Sequence, residues 1–123
     1  GSSWSGGGAL PAAKRGMGNA GTQTAALSAG GFDGSPPPFV VTASEEYNGS
    51  SWTSGGSLGT KRGFTGGCGL QTAALIFGGN SHPPVHALTE QYDGSSWTEV
   101  GDLNTGREFP GGAGTSTAAL CFG

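Results

Sequence analysis

Short apolar runs separated by polar, glycine-rich stretches recur along the chain. The tetrapeptide Gly-Ser-Ser-Trp ends at Trp4, Trp52 and Trp97, at spacings of 48 and 45 residues, and each copy is followed by Thr-Ala-Ala-Leu. No segment has the 3.6-residue apolar period of an amphipathic helix, so the pattern predicts an all-β chain. A period of this length indicates an array of repeats, each built from a few short strands.

One repeat has a pattern clear enough to predict four strands. Apolar runs place them at residues 63–70, 71–77, 87–92 and 96–103. We predict that Gly69-Leu70-Gln71 turns the first hairpin. Asp93-Gly94-Ser95 is predicted to turn the last one, because Asp-Gly is a strong hairpin signal. Each repeat is therefore predicted to be a sheet of four antiparallel strands.

The copies differ in length at one place only, between the second and third predicted strands. Three prolines lie there at 36–38 in one copy and two at 83–84 in the other. Proline does not fit a paired strand, and insertions in repeats collect in loops on one face. We therefore predict variable binding loops at 32–46 and 80–89, with these candidate residues: Phe32, Asp33, Phe39, His82 and His86.

The repeats share a fixed order of marker residues. A glycine pair closes an apolar strand, a variable loop and a tyrosine follow, a tryptophan comes five residues later, and a basic residue lies ten residues after that. These markers are Gly30-Gly31 and Gly78-Gly79, Tyr47 and Tyr92, Trp52 and Trp97, and Arg62 and Arg107. Their order resembles the kelch repeat, and the resemblance implies a β-propeller whose blades each have four antiparallel strands. The near-identity of the copies resembles the arrays of bacteriophage and environmental-microbe surface proteins.

The markers divide the chain into about two complete blades and a split third. The repeats are predicted at 1–14, 15–58, 62–103 and 107–123, as one array. A split blade leaves open sheet edges, which pair readily with other strands. We therefore expect the partners to include further repeats of a longer chain or copies of the chain itself.

One aromatic or leucine at the same place in each repeat is typical of core packing. A row of tryptophans also suits sugar stacking, but an identical position in every copy favours packing between neighbouring sheets. The predicted repeat core comprises Trp4, Trp52, Trp97, Leu27, Leu75, Leu120, Tyr47 and Tyr92.

Composition narrows the classes of partner. Only 11% of the 123 residues are charged and the net charge is −3, so there is no basic patch for nucleic acid. No apolar run reaches the 18 residues that a membrane span needs. The 27 glycines fall at matching places in the repeats, which suggests tight hairpins and strands that approach closely.

No residue set predicts catalysis, a cofactor or a bound metal. His82 and His86 are separated by two prolines that exclude a shared helical face. The carboxylates Glu45-Glu46 and Glu90 with Asp93 recur at matching points, which is scaffold behaviour rather than the two-carboxylate site of a glycosidase.

Two modifications of the chain stay open at this point. Asn48-Gly49-Ser50 is an N-glycosylation sequon at a predicted turn, although Asn also suits the turn itself. Cys68 and Cys121 lie on different strands of different repeats, either bridged or as free thiols.

These observations predict a non-catalytic repeat scaffold and binding module. The favoured setting is a structural or adhesive component of a virion fibre, surface appendage or extracellular filament that binds glycans or a surface protein. An intracellular interaction adaptor of the kelch type is the alternative, and a carbohydrate-active enzyme is a remote one. The favoured hypothesis implies an extracellular or virion-surface location.

Overall fold

A computed structural model of the chain describes residues 2–34 and 39–123, where it contains ten β-strands and no helix. The prediction of an all-β chain is confirmed for this part. The proline segment predicted as a loop at 36–38 lies outside the described residues, as does Gly1. No described segment forms a helix long and apolar enough to cross a bilayer.

The strands form three antiparallel sheets in chain order. The first sheet has the order β1-β2-β3-β4, the second has β5-β6-β7-β8, and β9 pairs with β10 in a two-stranded sheet. The strands are β1 (Gly18–Thr22), β2 (Ala25–Ala29), β3 (Ser44–Tyr47), β4 (Trp52–Ser54), β5 (Gly66–Leu70), β6 (Ala73–Phe77), β7 (Thr89–Tyr92), β8 (Trp97–Val100), β9 (Gly111–Gly114) and β10 (Ala119–Phe122). Sheets of four antiparallel strands were predicted and are present, and they are compatible with a propeller-like repeat fold.

The first hairpin of the second sheet turns later than predicted. Gly69 and Leu70 belong to β5, and Leu70 pairs with Ala73, so Gln71 and Thr72 form a two-residue turn. Gly69 has a positive φ of 99°, which its lack of a side chain permits inside the strand. The predicted Asp-Gly turn lies where expected, between the pair formed by Tyr92 and Trp97.

Glycines let the first strands of the three sheets lie close together. A Cβ added to Gly67 would lie 2.5 Å from the carbonyl oxygen of Asn19 in β1. A Cβ added to Gly112 of β9 would lie 2.7 Å from the carbonyl oxygen of Gly67. Gly67 and Gly112 therefore allow the close approach of strands that the glycine content suggested.

Apolar side chains between successive sheets form the core. Leu27 of the first sheet packs with Ala74 and Tyr92 of the second. Likewise, Leu75 packs with Cys68 and Phe77, against which Cys121 of β10 also lies. Burial therefore depends on the sheet that follows in the array, rather than on one sheet alone.

Two residues predicted in the repeat core are exposed. Trp4 is fully exposed, and residues 2–10, which belong to the repeat predicted at 1–14, form no strand. Leu120 is 64% exposed, whereas Leu27 is 1% exposed, because among the described residues no sheet covers β10 as the second sheet covers β2. The equivalent positions of a repeat are therefore not equally buried.

The other predicted core residues lie at two depths. Leu27, Leu75 and Tyr92 are buried. Trp97 is half-buried and packs against two core clusters, and its ring lies 4.8 Å from that of Tyr92. Tyr47 and Trp52 are half-buried and form the same pair in the first sheet, with their ring centroids 5.0 Å apart.

Candidate functional site

The side chain of Arg62 is the most deeply buried charge in the second sheet. Its Nη1 donates to the carbonyl oxygens of Gly78 at 2.9 Å and Leu88 at 2.5 Å. Its Nη2 donates to Glu90 Oε2 at 2.8 Å and to the Ile76 carbonyl oxygen at 3.4 Å. Burial lowers the pKa of Arg62, and the Glu90 carboxylate opposes that shift. This guanidinium therefore ties the entry of the second sheet to β6 and β7.

Lys14 has the same role in the first sheet. It precedes Leu27 by the same number of residues as Arg62 precedes Leu75. Its Nζ forms an ion pair with Glu45 and lies 3.5 Å from the Ala43 carbonyl oxygen. Glu45 is the counterpart of Glu90, since each lies two residues before the tyrosine of its sheet. These two carboxylates therefore each form an ion pair with a basic side chain of the scaffold.

Glu46 and the second carboxylate oxygen of Glu90 also accept hydrogen bonds within the scaffold. Glu46 Oε1 accepts a 2.5 Å hydrogen bond from the Tyr92 hydroxyl of the neighbouring sheet. Glu90 Oε1 accepts one from the Gly59 backbone N–H at 2.5 Å. A glycosidase needs two carboxyl groups facing one cleft. The contacts of Glu45, Glu46 and Glu90 instead belong to the scaffold.

Asp93 closes the turn between β7 and β8. Its Oδ1 accepts hydrogen bonds from the backbone N–H groups of Ser95 at 2.9 Å and Ser96 at 2.8 Å. These bonds, with that of Ser96 first, lower the pKa of Asp93 to about 2. Both serines therefore have a structural use in the turn.

The sequon residue Asn48 makes the same turn in the first sheet. Its Oδ1 accepts hydrogen bonds from the Ser50 and Ser51 backbone N–H groups, both at 2.9 Å. The Ser50 hydroxyl also lies 3.0 Å from Oδ1. Asn48 is exposed. The structure accounts for an asparagine here as a turn residue, and glycosylation stays a prediction.

The half-buried tryptophans bind backbone of the segment that precedes their sheet. Trp97 Nε1 donates to the Gly56 carbonyl oxygen at 3.1 Å, and Trp52 Nε1 donates to that of Gly8 at 3.0 Å. These matching hydrogen bonds and the packing against tyrosine indicate that the two tryptophans connect neighbouring repeats, rather than form a row of sugar-stacking surfaces.

The variable loops lie at the end of the sheets opposite the Gln-Thr hairpin turns. We call this end the loop face, formed by residues 30–34, 39–43 and 78–88 with residues 63–64 and 108–109. The loops are shorter than predicted, since residues 44–46 belong to β3 and Thr89 belongs to β7. Isolated bridges pair Phe32 with Val40 and Asn80 with Val85, so both loops fold back on themselves.

Three phenylalanines form a row across the loop face. The ring centroids of Phe32 and Phe64 are 4.6 Å apart, and those of Phe64 and Phe109 are 4.1 Å apart. Phe64 and Phe109 have positive φ values of 55° and 56°, where the equivalent residue of the first repeat is Gly16. Bulky residues rarely adopt this backbone conformation, and it costs about 1–3 kcal/mol per residue. Such strain is most often retained at functional sites.

An open pocket of about 480 Å³ lies beside this row. It is lined by Asn80, His82, Pro83, Pro84, Val85 and Glu108. Asn80 Nδ2 donates to the Glu108 carboxylate, while its Oδ1 is buried without a partner among the described residues. The pocket thus combines an apolar rim with a fixed carboxylate.

The five predicted binding residues are not all gathered at this pocket. The ring of His82 lies 5.2 Å from that of Phe32, which is buried. Asp33 and Phe39 are joined by a backbone hydrogen bond of 3.2 Å, and Phe39 is 48% exposed.

His86 lies apart from the pocket lining and bonds to Ser81 Oγ at 2.9 Å. Burial lowers the pKa of His86, and the charge of Arg62 lowers it further. Sequence reasoning missed Phe64, Phe109 and Glu108. The available signal was phenylalanine at two positions where the first repeat has glycine.

The two cysteines are not bridged, and the described residues contain no cluster of metal-ligating side chains. Cys68 and Cys121 are free thiols, although Cys121 packs against the cluster that contains Cys68. Within residues 2–34 and 39–123, no three metal-ligating side chains lie close enough to hold an ion.

No model of a known protein family matches this chain, and no curated protein shows significant similarity to it. The kelch likeness therefore rests on the residues of the chain and on its four-stranded antiparallel sheets.

Proposed function

We propose that this chain is a non-catalytic repeat scaffold that binds its partner through the loop face. The observation that carries the proposal is where the repeats differ. Phe64 and Phe109 replace Gly16, and Phe32 has Asn80 as its counterpart, all on the loop face. The repeated carboxylates and tryptophans, in contrast, hold the sheets together. Variable loops carried on a repeated frame are the usual arrangement of a binding protein.

The propeller arrangement forms part of this proposal. Three sheets follow one another in chain order, with the glycine-rich strands β1, β5 and β9 side by side. Backbone hydrogen bonds run along this row, from Phe64 N–H to the Gly16 carbonyl oxygen at 2.6 Å and from Phe109 N–H to that of Phe64 at 2.8 Å. Sheets joined through their first strands are what kelch-like blades around an axis require.

The proposed setting is a structural or adhesive component of a virion fibre, surface appendage or extracellular filament. Its support is the low content of charged residues, the near-identical copies and the resemblance to surface-protein arrays. The proposed ligands are glycans or a surface protein. Exposed apolar groups on the loop face, Phe39, Val85 and Phe109, offer the desolvated contact area that such binding uses.

A glycan panel probed with the labelled chain tests this proposal. The loop-face variants Val85→Asp and Phe109→Asp are each expected to reduce binding at least tenfold. The control is Gln23→Asp, an exposed residue in the hairpin turn at the opposite end of the first sheet. Binding that survives both loop variants, or that the control abolishes equally, contradicts the loop-face assignment. A panel that retains nothing contradicts the glycan class.

A further inference from the structure

The turn between β3 and β4 places an asparagine directly before a glycine. Asn48 and Gly49 are both exposed, and a Cβ added to Gly49 would meet no atom nearer than 3.6 Å. Within residues 2–34 and 39–123, the Gly49 N–H donates no hydrogen bond. Glycine also lacks the side chain that would hinder its nitrogen from approaching the preceding residue. The Gly49 nitrogen is therefore an unobstructed nucleophile beside the Asn48 amide.

The Asn48 amide is polarised by the hydrogen bonds of the same turn. Its Oδ1 accepts from the backbone N–H groups of Ser50 and Ser51, both at 2.9 Å, and lies 3.0 Å from the Ser50 hydroxyl. When a nitrogen adds to Asn48 Cγ, negative charge develops on this oxygen. N–H groups that already point at the oxygen stabilise that charge, as in the oxyanion hole of an acyl-transfer enzyme. The turn therefore favours attack at Cγ.

The second sheet already contains the residue that such a reaction would produce. Asp93 takes the place of Asn48, and Gly-Ser-Ser-Trp follows both residues. Asp93 Oδ1 accepts hydrogen bonds from the backbone N–H groups of Ser95 at 2.9 Å and Ser96 at 2.8 Å, the same contacts that Asn48 Oδ1 makes. These bonds need only an acceptor oxygen, which a carboxylate also supplies. The first turn therefore accommodates an aspartate at position 48.

Asp93 is also followed by glycine, but it is a poor electrophile. The hydrogen bonds from Ser96 and Ser95 lower the pKa of Asp93 to about 2, so its carboxylate is ionised at neutral pH. An ionised carboxylate resists attack by a nitrogen, whereas a neutral amide accepts it. Of the two turns with the same hydrogen bonds, only the first therefore carries a reactive side chain.

We propose that Asn48 is a site of spontaneous deamidation, which converts the turn of the first sheet into the turn of the second. The Gly49 nitrogen forms a bond to Asn48 Cγ and gives up its proton to water. The bond from Cγ to Nδ2 breaks, and Nδ2 takes up a proton and leaves as ammonia. Water then opens the resulting succinimide ring at Cγ, which gives aspartate. No group is oxidised or reduced.

The conversion changes the charge and the modification chemistry of the turn. It adds one negative charge to a chain whose net charge is −3. It also removes the asparagine of the sequon, so deamidation and N-glycosylation at residue 48 exclude each other. This inference does not depend on the ligand of the loop face.

Peptide mapping of the intact chain after incubation in mildly alkaline buffer tests the proposal. Trypsin releases residues 16–61 as one peptide, which contains both Asn48 and Asn19. Asn19 is the internal control, because it is exposed but precedes Ala20. Tandem mass spectrometry is expected to find deamidation at least roughly tenfold faster at Asn48, a ratio that corresponds to about 1.4 kcal/mol of activation free energy. Equal rates at the two asparagines overturn the proposal.

A synthetic peptide with the sequence of residues 44–55 measures what the folded turn contributes, because an isolated hairpin is only marginally stable. We expect Asn48 of the intact chain to react at least as fast as in the peptide, and to give a larger share of aspartate over isoaspartate. A slower reaction in the intact chain overturns the proposal, since the hydrogen bonds would then hold Cγ away from the Gly49 nitrogen. Isoaspartate as the main product of the intact chain overturns it too.

Two variants of the intact chain test whether the turn accepts the product. Asn48→Asp keeps the acceptor oxygen and is expected to melt at the temperature of the parent. Asn48→Ala removes the acceptor and is expected to melt at a lower temperature. Asn48→Asp melting as low as Asn48→Ala overturns the proposal that the reaction leaves the turn of the second sheet.

Discussion

The hydroxyl of Tyr92 donates a 2.5 Å hydrogen bond to Glu46 Oε1 across the junction of the two four-stranded sheets. Tyr92 belongs to β7 and Glu46 to β3, and they are 46 positions apart in sequence. The same hydroxyl accepts a hydrogen bond from the Gly56 N–H at 3.3 Å. One buried side chain therefore joins the third strands of both sheets and the segment between them.

Tyr92→Phe is expected to destabilise the fold by about 1–3 kcal/mol, because Glu46 loses a buried donor. The control is Tyr47→Phe, at the equivalent but half-buried position of the first sheet. Urea unfolding measures both variants. An equal loss in the two variants would show that the Tyr92 hydroxyl has no particular role at the junction.

The same bond predicts a dependence on alkaline pH. Burial, then the hydrogen bond to Glu46, raises the pKa of Tyr92 above its ordinary value. The folded state therefore holds this proton more tightly than the unfolded chain does. Its stabilisation is present below pH ~10 and is lost as the pH rises through the folded-state pKa. As the pH rises above ~10, Tyr92→Phe should lose less stability than the parent in thermal unfolding.

Glu90→Gln should destabilise the chain by about 3–5 kcal/mol, because it leaves the buried Arg62 guanidinium without its counter-charge. Glu99→Gln is the control, since Glu99 lies opposite Glu90 on β8 but is exposed. Chemical denaturation of the two variants measures the difference. Similar midpoints would show that the backbone carbonyls alone hold Arg62.

Gly67→Ala should destabilise by about 1–3 kcal/mol or more, as overpacking does. The new methyl would lie 2.5 Å from the Asn19 carbonyl oxygen, and backbone cannot move aside as a flexible side chain does. Gly101→Ala is the control, because a Cβ there meets nothing within 4 Å. Melting temperatures that fall equally would contradict the close approach of β1 and β5.

Trp97→Ala should cost about 3–5 kcal/mol, as large-to-small aromatic changes in packed sites do. Trp4→Ala should change stability by less than about 0.5 kcal/mol, since Trp4 is fully exposed. A loop change, Val85→Ala, is expected to be as mild as Trp4→Ala. Calorimetry on the three variants checks the order, and an equal effect of Trp97→Ala and Val85→Ala would remove Trp97 from the core.

Residue order alone was enough to predict the strands of the two four-stranded sheets, the position of the loops and the use of glycine. Each is a local property: alternating short apolar runs favour strands, Asp93-Gly94 favours a tight turn, and proline is excluded from paired strands. The one misplaced turn, at Gly69, arose because glycine with positive φ also fits inside a strand. A periodic sequence therefore determined most of the architecture of each repeat.

Contacts between segments distant in sequence decided which residues are buried and which side chains pair. Sequence equivalence grouped Trp4 with Trp97 and Leu120 with Leu27, yet burial depends on whether another sheet covers the residue, which position within a repeat does not specify. The pairing of Arg62 with Glu90 joins residues 28 positions apart. The row of Phe32, Phe64 and Phe109 draws one side chain from each of three repeats. Only the packing of the sheets brings such groups together, because the sequence pattern carries local preferences and these contacts are long-range.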